Sequence, residues 1–131
     1  MILSWQGANA EALIYDEGAP RTAAAFLALL PLDIRIVHVA WSGEMCMSVS
    51  SYDLNLTEPE NSTRLVRPGD LTWDHRVGEL GIVYGTAECR LPSGPNTVVV
   101  FGGVVSGLDR LAAMGRARRF EGVTTIRAEA S

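Results

Sequence analysis

Val98-Val99-Val100-Phe101-Gly102-Gly103-Val104-Val105-Ser106-Gly107-Leu108 is the stretch that decides the fold. The apolar run over residues 98–105 is too continuous for a strand with one wet face, so it predicts a strand buried on both faces. Gly102-Gly103 within it predicts a bend or a close backbone approach. Residues 108–119 follow as a helix with an inner stripe of Leu108, Leu111, Ala112 and Met114. A second helix belongs nearer the N-terminus. Pro20 opens it, where a missing N–H costs nothing. Residues 22–30 are rich in Ala and Leu, good helix formers. Phe26, Leu29 and Leu30 share its expected core face, and Pro31 is expected to end it.

Short strands account for the rest. Residues 2–6 and 10–15 read as a hairpin about Gly7-Ala8-Asn9. Residues 34–41 and 44–50 read as another about Gly43. Residues 64–66, 71–73, 80–84 and 123–128 are further strands. Residues 52–63 and 85–97 are loops, marked by Pro59 and by Pro92, Gly94 and Pro95. Many short strands with two isolated helices predict a mostly-β domain. Closing the sheet into an antiparallel barrel would remove its exposed edges.

A chain of 131 residues suits one domain over residues 1–131, and 47% hydrophobic residues suffice for one core. The net charge of -4 argues against a nucleic-acid partner, which would select a basic surface. Every basic side chain is arginine. No basic leader followed by a long apolar run is visible, so no membrane association and a cytoplasmic location are expected. In that setting Cys46 and Cys89 are expected as buried thiols rather than a disulfide. His38 and His75 are the only histidines, and no metal-ligand spacing surrounds them. Neither a metal nor a cofactor is expected.

Two motifs, taken together, resemble the cyclophilins. Ala19-Pro20-Arg21-Thr22 with Phe26 matches the family's Ala-Pro-x-Thr-x-x-x-Phe lead into its first helix. Val99-Val100-Phe101-Gly102 with Gly107-Leu108 matches its Val-Val-Phe-Gly strand and the step into its second helix. The resemblance implies a closed antiparallel β-barrel with a helix capping each end. Segments 38–44, 60–63 and 67–70, with the small size, look more like the small bacterial cyclophilin-like proteins of unknown function.

The same resemblance implies that the isomerase machinery is missing. Val39 stands where the family carries its arginine, Glu44 replaces the phenylalanine of the proline pocket, and Met47 replaces a glutamine. Val98 replaces a histidine. Ser93 falls near the position of the groove tryptophan. Valine cannot lend a guanidinium's electrostatic help to a twisting amide.

A relined groove would carry Val39 and Trp41, which share one strand face by alternation, together with Glu44, Glu60, Asn61 and Tyr84. An aromatic surface beside a carboxylate suits a ligand bearing a cationic or amide N–H group. Glu44 is the candidate acid or base if there is chemistry. Each residue also has a structural explanation: barrel packing for Trp41, a hairpin charge for Glu44, loop bonding for Asn61 and solvation for Glu60. Asn96 is expected to serve its turn through the backbone. The function expected is binding, or conversion, of a small amide- or carboxylate-bearing metabolite. The alternatives are a non-catalytic module that forms a homo-oligomer and a peptide binder that has lost catalysis.

Overall fold

The computed structural model describes residues 1–131. β1 (Ile2–Trp5) and β2 (Ala8–Ile14) form the first hairpin. Trp5 pairs with Ala8, so the turn is Gln6-Gly7. Both turn residues have positive φ, 43° and 79°, the geometry that matches strand twist in a two-residue hairpin. The turn therefore lies earlier than Gly7-Ala8-Asn9. α1 (Pro20–Leu27) stops short of Pro31, which leaves Leu29 exposed while Phe26 is buried.

β3 (Leu32–His38) ends before Val39, and β4 (Gly43–Ser51) returns beside it. β5 (Ser62–Thr63) replaces the strand expected at residues 64–66. β6 (Asp70–Trp73) and β7 (Glu79–Ala87) pair with each other. β8 (Arg90–Leu91) and β9 (Gly94–Pro95) form a small separate hairpin inside the expected loop. β10 (Val98–Ser106), α2 (Leu108–Glu121) and β11 (Thr124–Glu129) complete the chain.

The strand order is β2-β1-β11-β3-β4-β7-β6-β10, and β10 pairs again with β2. Eight antiparallel strands thus close a barrel, with β5 on the edge of β10. Gly102 and Gly103 make the closure possible, since β10 pairs there with β2 and β6 at once. A Cβ on Gly102 would stand 2.8 Å from the Leu13 carbonyl oxygen, and one on Gly103 would stand 2.6 Å from the Tyr15 hydroxyl.

β10 is buried on both faces, as its apolar run predicts. Val99 and Phe101 enter the main core, while Val98 and Val100 enter a second cluster. The main core joins the helices to the barrel. Phe26 of α1 meets Phe101 at 4.8 Å between ring centroids, and Leu111, Ala112 and Met114 of α2 pack into the same cluster. Full burial of such a side chain is worth about 1.5–3 kcal/mol.

Candidate functional site

The second apolar cluster, which includes Val39, Met45, Val66, Val83, Cys89, Val98 and Val100, is separate from the main core. Strand alternation puts it on the opposite face of β4, β7 and β10. A groove opens beside it, between these strands and the β8–β9 hairpin. Val39, Met45, Met47 and Val98 give it apolar walls, with Trp41, 39% exposed, at the margin. Thr72, Asp74, Glu79 and Asn96 add polar atoms. The cavity volume is about 30 Å³, room for a water-sized group. The hairpin is held against the β3–β4 turn by Ser42. Its carbonyl accepts from Glu88 N–H at 3.0 Å, and its Oγ accepts from Arg90 N–H at 3.1 Å.

The polar end of the groove is a buried pair. Asn96 Nδ2 donates to Asp74 Oδ2 at 2.9 Å, and both residues are 5% exposed. Because a carboxylate only accepts, this bond fixes the amide orientation. Asn96 Oδ1 is then left buried without a partner. Asp74 also accepts from Arg76 N–H at 2.9 Å. Burial, with the Asp74 charge nearby, pushes the Glu79 carboxyl up.

The residues expected from sequence fall in three places. Val39 and Trp41 line the groove together. Glu44 and Tyr84 lie under α2. Alternation along β4 sends Met45 and Met47 into the groove and sets Glu44, with Cys46, on the opposite face. The Glu44 carboxylate accepts from Thr86 N–H at 3.1 Å and pairs with Arg116 at 3.5 Å. Tyr84 packs beneath α2, with the Arg116 guanidinium 5.9 Å above its ring, and its hydroxyl lies 2.6 Å from His38 Nε2. Glu60 and Asn61 are beside α1 and β10. Glu60 accepts from Thr22 N–H at 2.7 Å, and Asn61 Nδ2 donates to the Val100 carbonyl at 2.7 Å. Both bind their own fold.

Sequence reading missed Met45, Asp74 and Asn96 as groove residues. The signal for Met45 was its alternation with Met47. For Asn96 it was the paired turn chemistry of residues 92–96, which folds a hairpin across the groove. No group of three His, Cys, Asp or Glu side chains has the arrangement to hold a metal. No helix is long and apolar enough to cross a membrane.

α2 approaches Tyr84 through Gly115. A Cβ there would stand 2.4 Å from the ring. Gly115→Ala is therefore expected to lower stability by about 1–2 kcal/mol. Overpacking costs about 1–3 kcal/mol, and alanine's helix propensity returns up to about 1 kcal/mol. A lower urea midpoint with an unchanged m-value is the expected readout. An unchanged midpoint would mean that α2 sits farther from Tyr84.

A barrel of this order with two packed helices is the cyclophilin-like fold. Residues 1–129 match DUF3830, a protein family of unknown function, and the chain belongs to that family. The structure of McbB in complex with tryptophan is similar, with a TM-score of 0.80 and 20% identity. That match covers 99% of this chain and 44% of McbB, so this chain spans less than half of McbB's length. A hypothetical protein from Archaeoglobus fulgidus has a TM-score of 0.60 and 18% identity, covering 99% of this chain and 92% of that one. A cyclophilin type peptidyl-prolyl cis-trans isomerase from Cryptosporidium parvum, in the presence of dipeptide ala-pro, has a TM-score of 0.60 and 13% identity over 100% of both chains. At these identities the likeness is one of fold. No curated protein sequence matches the chain.

Proposed function

We propose that the protein binds a small molecule carrying an amide or amine N–H in the outer-face groove. Its apolar part would rest on Val39, Met45, Met47 and Val98, with Trp41 against its exposed side. Asn96 Oδ1 carries this proposal. A buried acceptor without a partner costs about 1–3 kcal/mol, which a ligand N–H would recover. Of the two ligand groups suggested by the sequence, the amide is favoured. Asp74 and Glu79 line the same groove and would repel a carboxylate. McbB, of similar fold, is known in complex with tryptophan, which supports a small-molecule ligand.

The groove has no room for an extended peptide, so the ligand would enter as the β8–β9 hairpin lifts. Residues 90–95 themselves bond to the rest of the fold through Ser42 Oγ, while Cys89 N–H on the Arg64 carbonyl and Asn96 on Asp74 anchor the two ends about which they would move.

A thermal-shift screen of amines, amides and carboxylates tests the proposal. At a hundredfold excess over Kd a hit stabilises the native state by about 2.7 kcal/mol. Amide or amine hits should weaken at least about fivefold in Trp41→Ala, since a lost stacking contact is worth about 1–3 kcal/mol. They should survive in Glu44→Gln. Hits confined to carboxylates, or lost in Glu44→Gln alone, would contradict it.

A second reading has its own observation. Phe120 near the end of α2 is 90% exposed, an unusual position for a phenylalanine. It favours a homo-oligomer joined at α2, for which sedimentation of wild type and Phe120→Ser is the test. A single monomer mass for both would remove it.

A further inference from the structure

On the α2 side of the barrel, an open depression of about 440 Å³ is bounded by Val37, His38, Ala40, Gly43, Arg118 and Arg119. Two donors converge there on one atom. His38 Nε2 lies 2.6 Å from the Tyr84 hydroxyl and accepts from Arg119 Nε–H at 3.2 Å. A guanidinium can only donate, so Nε2 carries no proton, the ring is neutral with its proton on Nδ1, and Tyr84 donates as well. The arrangement places a bare imidazole against a fixed positive charge.

The other cations of this helix end are spoken for. Arg116 pairs with Glu44 at 3.5 Å. Arg118, buried, donates to the Met114 carbonyl at 3.1 Å and the Gly122 carbonyl at 2.9 Å, and pairs with Glu121 at 3.2 Å. Arg119 is exposed, forms no salt bridge, and lies against the His38–Tyr84 pair, donating Nε–H to His38. Its exposed guanidinium edge can still donate to an anion.

We propose that this depression binds a small oxyanion, sulfate-like or carboxylate, between the Arg119 guanidinium and His38, with uptake of one proton on His38 Nε2. Protonation turns Nε2 from acceptor to donor. It sets two positive charges side by side, and the anion is the group that offsets them. The Tyr84 hydroxyl, released from Nε2, becomes free to donate as well. The proton comes from solvent, and no covalent bond changes.

The groups around the ring are Tyr84 from β7, Glu44 and Cys46 from β4, and Arg118 and Arg119 from α2, with Arg116 over the Tyr84 ring. Without an anion, burial first and then Arg119 hold the His38 imidazole below its ordinary range, opposed by the Val39 backbone and Glu44. At neutral pH the ring is therefore neutral, and binding strengthens as pH falls. Affinity should fall by up to about tenfold per pH unit above the His38 titration in the complex. The proposal uses none of the groove residues and stands apart from the groove ligand.

The test is the titration of both histidines by nitrogen–proton NMR, in sodium sulfate or sodium acetate against chloride of matched ionic strength. His75 serves as internal control. The expected result is a saturable upward move of the His38 midpoint by sulfate and acetate, with His75 unmoved and the effect abolished in Arg119→Gln. Equal movement of His38 and His75 would identify an adventitious ion only. An unmoved His38 midpoint, or an effect intact in Arg119→Gln, would overturn the proposal. Arg119 is exposed, so its replacement leaves the fold intact, and the remaining peaks report this directly.

Discussion

Phe101→Ala should lower the unfolding free energy by about 3–5 kcal/mol, the range for a buried phenylalanine truncated in a packed core. Phe101 is 2% exposed and rests on Phe26 of α1 at 4.8 Å. It sits in β10, the strand that closes the barrel by pairing with β2 and β6. A cavity there weakens the helix contact and the closing strand together. A domain of this size has about 5–15 kcal/mol in all, so the loss is a large share. Urea unfolding should show a much lower midpoint with the same m-value. Phe120→Ala, on the exposed face of α2, should stay within about 0.5 kcal/mol of wild type. Equal shifts in the two variants would deny β10 its role.

The thiols provide the other large effect. Burial, only partly offset by Arg118, pushes the Cys46 thiol up to about 12. Burial, then Asp74, pushes Cys89 up to about 11. The thiolate is the nucleophile, so the thiolate fraction of native protein at pH 8 should be about a thousandfold lower than that of a free cysteine at Cys46 and about a hundredfold lower at Cys89. Alkylation should be slow in buffer and fast in urea. Both thiols are stabilised in their neutral form. Their contribution to stability is whole below the unfolded thiol range and falls as pH rises toward the folded values. Rapid labelling of either cysteine in native protein would show that the segment around it opens.

The fold was largely legible because its deciding signals are local. The double burial of residues 98–101 follows from an unbroken apolar run, and the Gly102-Gly103 pair marks the crossing of two strand partners. Helix α1 was overextended, since Ala and Leu propensity continues past Leu27, but the N–H groups of Leu29 and Leu30 turn back to the Phe26 and Leu27 carbonyls and Leu30 still packs against the core. The candidate site was less legible. Val39 and Trp41 were expected to share a strand face; β3 ends at His38, and both line the groove from the turn that leads into β4. Glu44 lies on the other face, because alternation along β4 sets it with Cys46 and opposite Met45 and Met47. Glu60 and Asn61 looked like ligand groups, but they satisfy backbone N–H and carbonyl groups of α1 and β10. The Asp74–Asn96 pair joins residues from a strand end and a hairpin that only the tertiary fold brings together.

Amide chemical-shift mapping of the best amide or amine hit tests the groove most directly. Saturable shifts confined to the backbone of Val39, Met45 and Met47, the indole N–H of Trp41 and the side-chain amide of Asn96 are predicted, with His38 and Arg119 unmoved. Shifts confined to α2 and the His38 depression, or to the exposed face around Phe120, would contradict a ligand in the groove.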